Sequence, residues 1–380
     1  MKKIICTVLC ALFLVTSFGC SVKRVKYASY GGSDKYVITQ NMYKYWLAYY
    51  KTRFYVIMQQ YGIISESTYT EDFWAQIIEG DETYGDRVFN HVNTLINDML
   101  VSAALYDEFK LGSDTNTKKT LENTVQSFVD SDIKAAGSRA DLNKQLGQFG
   151  LNIDELKKIY EFEAKELIVE DHLFGEKGKE PVTDAEREEY YQNTYHRIKY
   201  VLLDPYKKQV TDENGYPVMD TSTGYYKTVD LTEEEQAEVR SLAESIRANA
   251  AAGADFEALI AEYNQDSAMN TYIDGYFFKA DDAYDVTFLS DVISMKVGEV
   301  KISESPYGLL IIKKYPLEKG LWQNSISASF FTDLDSDITE IKKDKKFSAY
   351  YQNVSKDGGF PSTLKLADLP FLQTALTSAE

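Results

Sequence analysis

GADFEALIAEYNQDSA (residues 253–268), DGYFF (274–278), VTFLSDVISMKVGEV (286–300) and SPYGLLIIKKY (305–315) are pieces of one stretch, and their order decides the fold. Gly253 ends one helix, and Asp255 caps the next, which carries Phe256, Leu259, Ile260 and Tyr263 on one face. Asp274-Gly275 is a turn signal. A helix from about Thr287 to Val297 is closed by Gly298, and the short apolar run Leu309–Lys314 reads as a strand.

Upstream, Thr232 and Glu235 form a capping box for a helix that turns Val239, Leu242, Ile246 and Ala250 inward. Residues 204–230 carry the turn signals Asn214-Gly215 and Thr223-Gly224 between Tyr and Val residues, and predict an inserted hairpin or two. Before them, Arg197–Leu203 alternates as a strand, and Thr183 to Glu186 opens a helix that runs into EEYYQNTYH. The order is β-α-α-β-α-β, an α+β arrangement with helices on a small antiparallel sheet.

This order and spacing resemble the parvulin-type prolyl isomerase domain: a D-F-x-x-L helix, a glycine turn, a helix ending G-E-V and a strand opening on glycine. The resemblance implies a proline pocket that favours the twisted X–Pro amide through desolvation and a few polar groups, with no metal and no cofactor. It places the family's acidic or thiol position on Asp266, the pocket phenylalanine on Phe288 and the Met/Leu position on Tyr284. The two family histidines fall on Tyr200 and Leu310. Tyr200 keeps a polar atom; Leu310 has none. Asp266 and Tyr200 are therefore the catalytic candidates if the site is active, with Phe288, Tyr284 and Leu310 lining the pocket.

The N-terminal half is helical. Tyr43, Trp46, Tyr50, Phe54, Ile57, Met58 and Tyr61 share one helical face, which Gly62 stops, and its Tyr43, Trp46, Tyr50, Phe54 and Tyr61 are candidates for holding unfolded client chains. A second helix spans Tyr84–Phe109, with Gly112 as its cap, and a shorter one lies near Leu121–Val129. SRADLNKQLGQFGLNIDELKKIYEFEAKELIVEDHLF (138–174) pairs a helix ended by Gly150 with one capped by Asn152. Its Leu142, Leu146, Gly150, Leu151 and Leu156 resemble the peptide-binding region of PrsA- and SurA-type extracytoplasmic foldases.

Lys2 and Lys3 precede an apolar run, Ile4–Phe18, too short to span a bilayer and typical of a secretory signal. It closes on Gly19-Cys20, which resembles a lipoprotein signal with Cys20 as the lipidation site. Cys6, Cys10 and Cys20 are the chain's three cysteines, so after export a lone thiol remains and no disulfide staples the fold. The formal charge of −18 argues against nucleic acid and against electrostatic adhesion to anionic lipid, so membrane contact is assigned to the anchor. His91 and His172 lack partners at metal spacing, and His196, on the strand of Tyr200, lies about 13 Å from it, too far to stand in for the family imidazole. Asp333, Asp335 and Asp337 open like a calcium loop but meet Ile338 where glycine is required.

The expected organisation is a signal peptide over 1–19, a tether over 20–35, a helical chaperone-like domain over 36–194 and a parvulin-like domain over 195–316. Residues 317–380 supply a helix that returns to the helical domain, then a loosely ordered tail. Two functions fit: a lipid-anchored, extracytoplasmic chaperone for newly exported polypeptides whose parvulin-like site is eroded, or an active peptidylprolyl isomerase.

Overall fold

The computed structural model describes residues 25–60, 64, 71–280, 282, 286–372 and 375. The chain forms two compact units, one running up to Pro181 and resuming at Lys342, the other spanning Val182–Ile341.

In the first unit, β1 (Lys26–Tyr30) pairs antiparallel with β2 (Val37–Thr39) and with the C-terminal strand Val354–Lys356. Part of the expected tether is therefore sheet. The reason is burial: Tyr27 and Ala28 enter the core, and the Tyr27 ring lies 4.0 Å from that of Tyr43. Helix α1 (Gln40–Gln60) follows, then the one-turn α2 (Glu71–Trp74) and the small hairpin of β3 (Ile77–Glu79) and β4 (Glu82–Thr83). Three long helices and a short one complete the layer: α3 (Tyr84–Glu108), α4 (Thr115–Ala136), α5 (Arg139–Gly147) and α6 (Ile153–Phe174).

Each of these four starts on a side chain that accepts an orphan backbone N–H: Thr83, Asp114, Ser138 and Asn152. Gly112 does not cap α3. Lys110 takes the left-handed conformation instead (φ 56°), and Gly112 sits in a following 3₁₀ turn. The apolar faces meet in a core of Trp46, Leu47, Val92, Ile96, Leu156 and Ile159. The C-terminal stretch is not a loose tail either. Leu366 and Leu372 are buried in that core, and the buried Lys51 ammonium donates to the carbonyls of Leu366 (2.6 Å) and Leu369.

In the second unit, α7 (Asp184–Thr194) leads into β5 (Tyr195–Leu203). Tyr191 of α7 packs with Tyr195, Phe277 and Phe331, so this helix belongs here and not with the helical domain to which sequence assigned it. The inserted ribbon carries β6 (Lys207–Gln209) and β7 (Thr228–Asp230). Then come α8 (Glu233–Ala251), α9 (Phe256–Tyr263), the one-turn α10 (Ala268–Thr271) and β8 (Tyr276–Lys279). The unit continues with α11 (Val286–Ser294), β9 (Val300–Ser305), β10 (Gly308–Tyr315) and α12 (Leu334–Phe347), within which the unit boundary falls.

The sheet is antiparallel in the order β8-β5-β10-β9. Sequence reading named β5 and β10, implied β8 only through the β-α-α-β-α-β order, and missed β9, whose residues VKISES are too polar to announce a strand. Strand β5 serves both faces. Val201 and Leu203 meet Ala243, Ile246, Phe256 and Ile260 of α8 and α9, while Ile198 meets Phe278 and Val292 on the side of α11. Two glycines are obligatory for this closeness. At Gly275 (φ +97°) a Cβ would stand 2.5 Å from the Ile198 carbonyl oxygen, and at Gly308 (φ +135°) 2.4 Å from that of Leu203.

Candidate functional site

The sheet face toward α11 carries an apolar pocket of about 480 Å³. β5 contributes Ile198, Tyr200 and Leu202, all on one side by the two-residue period, and β8 adds Tyr276 and Phe278. β10 contributes Leu310, which stands opposite Leu202, while Ile312 stands opposite Tyr200. Phe288 closes the α11 side with its ring 5.7 Å from Phe278, and Pro306 and the largely exposed Tyr307 form the rim.

Asp266 reaches this pocket because its segment is stitched to β5. The Leu202 N–H donates to Asn264 Oδ1 (2.8 Å), the Gln265 N–H to the Leu202 carbonyl (3.0 Å), and the Asp204 N–H to Gln265 Oε1 (2.8 Å). Asp266 Oδ1 accepts the Ala268 N–H (2.9 Å), and Oδ2 accepts the hydroxyl of Tyr200. Burial raises the Tyr200 phenol above its ordinary range, and the Asp266 carboxylate adds to the shift, so Tyr200 stays protonated throughout the physiological range. Its proton points at Asp266. The pair therefore presents acceptor oxygens to a ligand, within walls that are mostly apolar, with Gln265 and Ser305 among the other lining residues.

Four of the expected residues, Tyr200, Asp266, Phe288 and Leu310, thus line one pocket. Tyr284, Cys20 and Tyr61 lie outside the described residues. Sequence reading missed Tyr276, Phe278 and Tyr307; the alternation in DGYFF and the turn in SPYG were the available signals. Among the client-binding candidates, Tyr43 is a correction, since it is fully buried. The periodic face that singled it out is the core face of α1. Trp46 is also 1% exposed, while Tyr50 and Phe54 are partly buried, against His91 (ring centroids 4.5 Å apart) and Tyr84 (5.5 Å) respectively.

Residues 218–315 match the family model of the PPIC-type PPIASE domain, so the second unit carries a domain of that class. The match holds Asp266, Phe288 and Leu310 but begins after β5, so Tyr200 joins the pocket from outside it. Among solved structures, PrsA from Bacillus subtilis is 22% identical, with 74% of this chain and 91% of that one covered and a TM-score of 0.23. PrsA from Bacillus cereus is 15% identical (81% and 99% covered, TM-score 0.28), and the foldase protein PrsA from Lactococcus lactis 14% (88% and 95%, TM-score 0.25). Likenesses this distant carry no argument about activity. No curated protein matches the chain.

Proposed function

We propose that this chain is a membrane-anchored, extracytoplasmic chaperone or foldase for newly exported polypeptides, with a parvulin-like domain whose isomerase site is eroded. The observation that carries this reading is the make-up of the pocket in the second unit. It keeps apolar walls suited to a proline ring, yet on β10 Leu310 stands where the family resemblance expects an imidazole. The remaining polar pair commits its proton internally, from Tyr200 to Asp266. Rotation about an X–Pro bond is slow enough to limit folding, and lowering its barrier calls for preorganised polar groups around the twisted amide. A pocket of this kind binds the ring better than it polarises the amide.

The second reading, an active isomerase, draws on the same Tyr200–Asp266 pair, whose oxygens could accept a substrate N–H. Refolding of an unrelated protein limited by prolyl isomerisation decides between them, run alongside Asp266→Ala and Phe288→Ala. A slow phase left unchanged while client aggregation is suppressed supports the chaperone. Acceleration that both substitutions abolish makes the chain an enzyme, and neither effect removes both readings.

The anchor is assigned to Cys20. Because β1 begins at Lys26, an acyl group there holds that strand within roughly 20 Å of the bilayer, the reach of six extended residues. Cys20→Ser should move the protein from the membrane to the soluble fraction; retention in the membrane would refute the assignment.

A further inference from the structure

The first unit holds a separate cavity of about 550 Å³, bounded by α1, α3, α4, α6 and Lys343. Its walls are aromatic: Tyr45, Trp46, Tyr49 and Tyr50 come from successive turns of α1, with Phe128 and Tyr160 facing them. Its ionisable groups are nearly all of one sign. The helical spacing of α6 brings Glu163, Glu166 and Glu170 to the same wall, and α4 adds Asp132. Against these four carboxylates the lining offers one ammonium, Lys343, which lies 3.5 Å from Glu166 and 3.9 Å from Glu170.

These acids are held in place. The Trp46 indole N–H donates to Glu163 (3.1 Å), and the Tyr160 hydroxyl donates to Asp132. The Glu166 side chain is only 13% exposed. Carboxylates set among aromatic rings are costly until a cation meets them. Burial accordingly pushes Glu163 up to about 7 and Glu166 up to about 8. Among the described residues, the oxygens of Asp132, Glu163 and Glu166 do not converge closely enough to share a metal ion. The charge they call for is spread out and organic, and the ring faces around them attract such a cation.

We propose that this cavity binds a basic side chain of an extended polypeptide, above all the guanidinium of an arginine. A guanidinium is planar, stacks on rings and pairs with carboxylates through two parallel N–H bonds, which this mixture of walls accommodates better than it does a compact ammonium. The polypeptide source rests on the chaperone reading; the preference for a cation rests on the cavity alone.

The test titrates the full protein with a short proline-free peptide carrying one arginine, and with the same peptide carrying citrulline, its neutral isostere. Calorimetry gives the affinity, and tryptophan fluorescence, to which Trp46, Trp74 and Trp322 all contribute, is a second readout. The arginine peptide is expected to bind about tenfold more tightly or better, equivalent to ~1.4 kcal/mol. That preference should vanish in the Glu163→Gln, Glu166→Gln double variant with its circular dichroism unchanged. Equal binding of the two peptides, no saturable binding of either, or a preference that survives in the double variant overturns the proposal. Should the double variant fail to fold, the comparison on the unmodified protein decides by itself. An arginine preference in a protein that suppresses no aggregation leaves this site standing and removes the chaperone reading.

Discussion

Tyr43 and Gly308 show how differently single residues weigh in this protein. Tyr43 has the periodicity of a binding face, yet its ring is enclosed by Tyr27 and Phe360. Tyr43→Ala should therefore cost roughly 3–5 kcal/mol of stability, as large aromatic-to-alanine changes in cores do, and urea unfolding should show it before any binding assay does. Gly308 has no side chain, but an alanine Cβ would be forced against the Leu203 carbonyl at 2.4 Å in a backbone conformation that L-residues avoid. Gly308→Ala should destabilise the second unit by about 1–3 kcal/mol and disturb the adjoining Leu310 wall, seen as a lower melting temperature. Sequence reading identified this glycine by its place before LLIIK; the carbonyl that makes it necessary lies on another strand. Pocket membership was likewise half legible. Asp266 and Phe288 followed from family spacing, whereas the Tyr200–Asp266 contact depends on hydrogen bonds between β5 and a segment more than sixty residues later.

Among the elements, α6 carries two carboxyls whose charge changes near neutral pH. The carboxyls of Glu163 and Glu166 are raised from 4.5 to about 7 and about 8 by burial. For acids with a raised folded-state pKa, the protonated form is the one that folding favours. Their contribution is fully present below about pH 4.5 and is lost as pH rises through 7 to 8. The Glu163→Gln, Glu166→Gln variant should show a flatter profile than the unmodified protein across that window, measured by chemical unfolding at a series of pH values. A second element-level prediction concerns α1. Lys51 holds the C-terminal stretch through the Leu366 and Leu369 carbonyls, and Lys51→Met leaves those acceptors without it at a cost of about 2 kcal/mol. Limited proteolysis should then cut residues 357–372 faster. Helix starts were readable in advance because caps are local: Thr232 with Glu235, Asp255 and Asn152 all act as their sequence context implies. Strand β9 was not, because its pattern makes sense only beside β10.

For the molecule as a whole, the two proposed sites lie one in each unit, so their functions should separate by mutation. Phe288→Ala is expected to abolish any effect on a proline-limited refolding phase and to spare the arginine preference; the Glu163→Gln, Glu166→Gln variant should do the reverse. Parallel refolding and peptide-titration assays check both, and a variant that loses both activities while folded would argue against separate sites. What the sequence determined by itself was the run of caps, turns and periodic faces, and with them the α+β class and the parvulin-like stretch, because those signals act over one or two helical turns. Only the tertiary structure decided which periodic aromatics are core, that Lys26–Tyr30 is a strand, that residues 357–372 are packed, and that four carboxylates share an aromatic cavity. Each of these depends on partners distant in sequence, and burial by a distant partner leaves no mark on the local pattern.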